Sequence, residues 1–410
     1  MRRAVCDVLV VGGGPAGSVS AALFARAGFE VRLLERTPFP RFKACGDFLS
    51  PEGTRILADL GVEEAVRAAG ARRLRGLLVS AAGEPPLRAD FEGRERGFGY
   101  ALERRRLDAI LLDAARTAGA DVLEGWSVAG LGGRGELRVA APEGTPGRMR
   151  GRLIVGAGGK RCPVARDLRL QRRPTGDGRL DLLCHWDAPE AGDAYCEMHV
   201  AAPGYTGVAA SGPGTLNVNT VVPRSWMRAW ARRPNGEGSG RARGDPYREL
   251  VLGVAGVRRA LRSGRPLYAP VASDVTPLST ARASADGVLL AGDAALFIDP
   301  FTGQGLYLAM RSAELAFEAG AAALAVCDTG ASRLATYDAR REREFAPKVA
   351  LSRLLQAILY RPLLARGVAS ALRRDRRGAS RLIGVIGDYR PAADLLRPAF
   401  LTRLAAAGLS

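Results

Sequence analysis

Two groups of residues in this 410-residue chain have the types and spacing to do chemistry. The first is "RFKACGD", Arg41 to Asp47, where one of the chain's six cysteines follows two cations and precedes a Gly-Asp pair. Nearby cations favour a thiolate, so Arg41 and Lys43 are expected to lower the Cys45 pKa. Such a thiol can relay a proton, or it can pack as a small apolar side chain that shapes a pocket. The second group is a pair of glycine turns far apart in the chain, Gly12-Gly13-Gly14 with Gly17, and Gly303-Gln304-Gly305. Exposed backbone N–H groups at such turns bind phosphate or a developing negative charge.

The elements around the first turn give it a purpose. Val8 to Val11 is a continuous apolar run that predicts a strand buried on both faces. Ser18 to Ala27 reads as an alanine-rich helix, and "FEVRLLER" as a second strand. Gly12 permits the tight turn, Gly14 the approach of a pyrophosphate, and Gly17 close packing of helix on strand. Pro15 and Ala16 lie within the glycine motif as further cofactor-binding candidates, and the N-terminus of the helix that follows favours anions. Glu35, followed by Arg36, ends the second strand where a carboxylate binds ribose hydroxyls. Together these predict a dinucleotide site without separating FAD from a nicotinamide cofactor. Around the second turn, Val288 to Ala291 reads as a short strand ended by Gly292-Asp293. Asp299-Pro300 and Gly303-Gln304-Gly305 then lead into a helix from about Leu306. Asp293 can accept from a ribityl hydroxyl; a loop with ordinary capping is the plainer reading.

Composition narrows the classes. Lysine and arginine number 60 against 42 acidic residues, a net charge of +18. The arginines are scattered, without a base-reading motif, so no nucleic-acid partner is expected. The charge suits an anionic cofactor, an acidic membrane surface or an acidic carrier protein. Two histidines and cysteines without ligand spacing point to no metal. No secretory leader is visible, so a cytoplasmic location and reduced cysteines are expected. Val8 to Ala25 is uncharged but is cut by the Gly12–Pro15 turn, so no membrane span is expected.

The N-terminal GxGxxG, paired with the GD…DP…GxG block of residues 292–305, resembles the FAD-binding fold of p-hydroxybenzoate hydroxylase-type flavoproteins. "CGDFLSPEG", "PGYTGVA" (Pro203 to Ala209) and "DPFTGQG" are similar to the geranylgeranyl reductase branch. The resemblance covers about residues 5–330. It implies that Gly12, Gly14, Gly17 and Glu35, with Pro15, Ala16 and Arg36 beside them, hold the ADP half of FAD. It also implies that Arg104, four residues before Asp108, reaches the phosphates. Asp293 would bind the ribityl portion, and Pro300, Gly303, Gln304 and Gly305 would lie against the isoalloxazine. Cys45 and Gly46 would face its reactive side. The family's Asp-Gly pair after a central strand is replaced by Gly158-Gly159, followed by Lys160 and Arg161. That departure leaves the donor as NAD(P)H or another reductant, and the two cations as phosphate ligands or solvated charges.

The expected fold is α/β. A Rossmann-type FAD-binding domain takes residues 1–71, 101–170 and 278–335. An inserted, mostly antiparallel β-sheet substrate domain takes 72–100 and 171–277, with a C-terminal helical region at 336–410. Tyr205, Val208 and Asn219 are pocket candidates that also read as structural. Arg232 to Pro246 reads as a polar loop. Ser50 before Pro51 is a good N-cap, and Asp47 is a second capping candidate for the same helix. In the tail, Leu351, Leu354, Leu355, Ile358 and Leu359 form an apolar face for peripheral membrane contact or for the neighbouring core. The functional expectation is an FAD-dependent oxidoreductase. It would reduce carbon–carbon double bonds of a lipophilic, isoprenoid- or polyketide-like substrate by hydride transfer from reduced flavin. A flavin monooxygenase is the first alternative. A halogenase is a lesser one, because the WxWxIP signature is absent, and a non-catalytic binding protein is a third.

Overall fold

The computed structural model describes residues 5–81, 85–91, 97–172, 178–188, 194–232 and 245–397. Most of the polar loop expected at 232–246 lies outside them.

The first sheet is built on the strand Val5–Val11. It pairs in parallel with Val31–Glu35 on one side and with Pro146–Gly156 on the other. Asp121–Glu124 and Val288–Leu290 extend the parallel ladder at either flank. Val8, Leu9 and Val10 are fully buried. Helices cover both faces of such a sheet, which is why the run is continuously apolar and not alternating. The helix Pro15–Arg26 packs between Gly305–Ala325 and Arg104–Thr117. The last of these sets Arg104 at its first turn.

The second sheet has eight strands. Arg179–Asp187, Tyr195–Ala201, Gly204–Gly212 and Thr215–Pro223 form its antiparallel centre, and Gly76–Ala81 joins it in parallel beside Tyr195–Ala201. Its two faces differ sharply. Leu182, Cys184, Trp186, Val208, Leu216 and Val218 pack with Tyr247, Val251 and Val257 of two short helices, Pro246–Gly253 and Ala255–Ala260. Strand periodicity turns Asp181, His185, Asn217 and Asn219 to the opposite face, toward the first sheet. All four are under 9% exposed.

A three-stranded sheet joins Gln171–Arg172, Leu278–Thr280 and Leu296–Phe297. Boundaries at 170/171 and 277/278 therefore separate strands that pair with each other.

The tail forms the helices Ala331–Leu359, Pro362–Arg374 and Arg376–Ile386. Its apolar face is covered by protein. Leu351 is buried with Val385, Ala392 and Leu395, and Ile358 and Leu359 pack against Val200, Tyr205 and Val221. Exposing Leu351 alone would forfeit roughly 1.5–3 kcal/mol of burial, so the core-covering role wins over a membrane-facing one. Among the described residues no helix is long and apolar enough to cross a membrane.

Candidate functional site

A cavity of about 390 Å³ lies between the two sheets. Gly12, Gly14, Pro15, Ala16, Glu35 and Arg36 line it, together with Asp293, Pro300, Gly303 and Gly305. Leu77, Val79, Met198, Phe297 and Phe301 make an apolar wall.

The first glycine turn is built as its spacing predicts. Gly12 has φ +101°, and a Cβ there would lie 2.7 Å from the Ala157 carbonyl oxygen. A Cβ on Gly17 would lie 1.8 Å from the Gly12 oxygen, so only glycine lets this helix approach its strand. Glu35 accepts from the Gly13 N–H at 2.7 Å and from the Thr37 N–H at 2.9 Å, which fixes its carboxylate at the cavity edge.

Two helix N-termini open on this one cavity. Pro15–Arg26 and Gly305–Ala325 each lack a side-chain cap and an acidic residue in the first turn. Their free N–H groups require an external acceptor, and their dipoles favour a negative one. A Cβ on Gly305 would meet nothing within 4 Å, so the space before the second helix is open. A diphosphate at the first N-terminus and a flavin carbonyl at the second match this donor set. The residues present therefore fit FAD.

The cations differ from expectation. Arg41 does not act on Cys45: its guanidinium is 3.3 Å from Asp108, and a Cβ on Gly14 would meet its Nη2 at 3.6 Å. The cation beside the first glycine turn is thus Arg41. Arg104 is buried in a bidentate pair with Asp108 at 2.6 and 2.8 Å and lies against the Cys45 thiol. Cys45 lines the cavity. Burial pushes its thiol pKa up, with Arg104 opposing, so the expected lowering by Arg41 and Lys43 is overturned.

Asp47 also departs from expectation. Ser50 alone caps Pro51–Asp59, accepting from the Gly53 N–H at 3.3 Å. Asp47 instead accepts the backbone N–H of Arg104 at 3.2 Å, the Asn217 amide at 2.7 Å and His185 Nε2 at 2.6 Å. The Asn217 amide reaches the Cys45 carbonyl as well, at 2.6 Å. This cluster stitches the Arg41–Asp47 loop to the second sheet.

Of the remaining expected residues, Gly46, Asp293 and Asn219 line the cavity. Burial raises the Asp293 pKa, against the field of Lys43, Lys160 and Arg104. Gln304 does not face the cavity: its amide donates to the Val385 carbonyl at 2.9 Å and to Asp388 at 2.6 Å, tying the second turn to the tail. Tyr205 lies behind the wall, where its hydroxyl donates to Asp299 at 2.6 Å. Val208 touches the wall, but its side chain belongs to the core on the sheet's far face. Lys160 enters the cavity wall, where it donates to the Asp274 carbonyl and lies 4.2 Å from the Phe297 ring centroid.

The main omission from the sequence reading is Asp181, a cavity-lining carboxyl that is 5% exposed. Its signal was present: in "RLDLLCHWD" the polar residues Arg179, Asp181, His185 and Asp187 all share one face of the strand.

A family model described as FAD binding domain matches residues 5–350. The chain is 30% identical over 326 residues to the tryptophan 2-halogenase of Chondromyces crocatus, covering 75% of this chain but only 60% of that protein. It is 29% identical over 353 residues to the digeranylgeranylglycerophospholipid reductase of Methanoculleus marisnigri, covering 81% of each. Among solved structures it is similar to a flavoprotein/dehydrogenase from Cytophaga hutchinsonii. The TM-score is 0.84 at 21% identity, over 98% of both chains, a likeness that speaks for the fold. The α/β architecture and the FAD cofactor expected from the sequence are borne out.

Proposed function

The chain belongs to the FAD binding domain family of flavoproteins and is an FAD-dependent oxidoreductase; we propose that it reduces a carbon–carbon double bond in a lipophilic, isoprenoid-like substrate. The observation that carries this reading is the apolar wall of Leu77, Val79, Met198, Phe297 and Phe301, in the same cavity that Gly303 and Gly305 line. A polyprenyl chain laid against these five side chains gains roughly 25 cal/mol per Å² of apolar surface buried, whereas a polar group set against them loses hydration. The similarity to the Methanoculleus reductase, whose name describes an isoprenoid lipid, supports it.

FAD, once bound and reduced, supplies the hydride. The chain's residues hold and orient it. Glu35 would take the ribose hydroxyls, the N-terminus of Pro15–Arg26 and Arg41 the diphosphate, and Asp293 the ribityl chain. The N–H groups at the start of Gly305–Ala325 would face the flavin carbonyl and favour negative charge there. Cys45, with its thiol kept protonated by burial, would shape the wall and not act as a thiolate.

The test is an oxygen electrode run during turnover with a reduced nicotinamide or another two-electron donor. A reductase consumes donor in step with saturated product and takes up no matching oxygen. Oxygen uptake equal to product would overturn the reading in favour of a monooxygenase.

A further inference from the structure

We propose that Asp181 is the acid that delivers the proton when the double bond is reduced. The inference rests on the reductase reading and adds the residue that completes it. Asp181 is the third residue of the strand Arg179–Asp187, on the face turned to the cavity, and lines it together with Asn219. Among the described residues its only hydrogen bond is from the Asn219 amide, at 3.4 Å.

The groups packed around it leave it without a bound cation. Arg179, two residues earlier, is committed to Asp299. Asp299 also accepts from Tyr205 and from the Phe301 N–H. Lys160 is held by the Asp274 carbonyl and the Phe297 ring. Ser273, the register partner of Asp181 on the adjacent strand, lines the same wall. Burial pushes the Asp181 pKa up to about 7; the Asn219 hydrogen bond and Lys160 oppose it, while Asp299 adds to it. A carboxyl in that state is part protonated near neutral pH and can still release its proton, as a general acid must. The Cys45 thiol, raised above its ordinary value, is the weaker acid of the two.

The step balances as follows. The π bond breaks; one carbon receives the hydride with its electron pair, and the other receives the Asp181 proton as the O–H bond breaks. The substrate is reduced, the cofactor is oxidised, and Asp181 is left as a carboxylate. Water entering as product leaves returns its proton, and an external two-electron donor of the reduced-nicotinamide class restores the cofactor.

The experiment has two arms, both on FAD-loaded protein. Infrared difference titration of the oxidised form should show a protonated carboxyl that disappears near neutral pH in wild type and is missing in Asp181→Asn. Anaerobic single turnover with a polyprenyl lipid should then be slowed roughly a hundredfold in Asp181→Asn, with KM little changed and the alkaline fall in rate abolished. Asp181→Glu should recover part of the rate. An Asp181→Asn protein that keeps both the carboxyl signal and the wild-type pH profile would overturn the inference alone. Wild-type protein that reduces no unsaturated lipid without oxygen would overturn both the inference and the reductase reading.

Discussion

The carboxylate of Asp47 lies 2.6 Å from Nε2 of His185, and both residues are buried. This contact joins the loop carrying Cys45 to the strand Arg179–Asp187 of the second sheet. The loop is thereby fixed from behind, so its geometry depends on residues that do not touch the cavity.

Removing one partner should loosen it. Asp47→Ala leaves His185, Asn217 and the Arg104 N–H without their shared acceptor, at a cost of about 2–3 kcal/mol. Urea denaturation should show that loss together with weaker FAD retention. His185→Gln should cost less, because Asn217 still donates to Asp47.

Gly17→Ala should be more damaging than its single methyl suggests. The new Cβ would sit 1.8 Å from the Gly12 oxygen, and backbone cannot yield as a flexible side chain can. The helix must shift away from its strand, costing about 1–3 kcal/mol and misplacing the N–H groups at the phosphate turn. A thermal melt and a flavin spectrum of the purified variant check both consequences.

Cys45 should react slowly with iodoacetamide. Its pKa is raised by burial, so at any given pH it carries less thiolate than an ordinary cysteine. Peptide-level mass spectrometry across a pH series should find the exposed Cys327 alkylated well before Cys45. Fast modification of Cys45 at neutral pH would show an activated thiol instead.

Asp181 should make stability depend on pH. Its folded pKa of about 7 lies above the ordinary value of 3.8, so the native state binds the extra proton between those values. Stability is then lost as pH rises through that window, by up to about 1.4 kcal/mol per pH unit for this group. Asp181→Asn should abolish that contribution. The gap between variant and wild type, read from denaturation midpoints, should widen in the variant's favour from about pH 4 to about pH 7 and then level off.

The parts of the site legible in the sequence are those whose physics is local. Gly12, Gly14 and Gly17 answer to a turn, a helix and a strand within a few residues of one another. Val8 to Val11 announces its two buried faces by the absence of alternation. The Cys45 electrostatics was not legible, because the cation that matters, Arg104, arrives through a helix after the intervening strands. Gln304 sits between two cavity-lining glycines, yet the tail helix captures its side chain. Tyr205 and Val208 depended on sheet register, where one residue's shift exchanges faces. Asp181 was visible as a charge in an apolar strand, but only the pairing with Asn219's strand shows which way it points.

The most direct measurement is an anaerobic single turnover followed in a stopped-flow spectrophotometer. FAD-loaded protein is reduced chemically, oxygen is removed, and a polyunsaturated isoprenoid lipid is mixed in. A reductase returns the oxidised flavin spectrum at a rate set by lipid concentration, with a product heavier by one hydride and one proton. A flavin that stays reduced until oxygen is admitted, and a product that carries an oxygen atom, would contradict it.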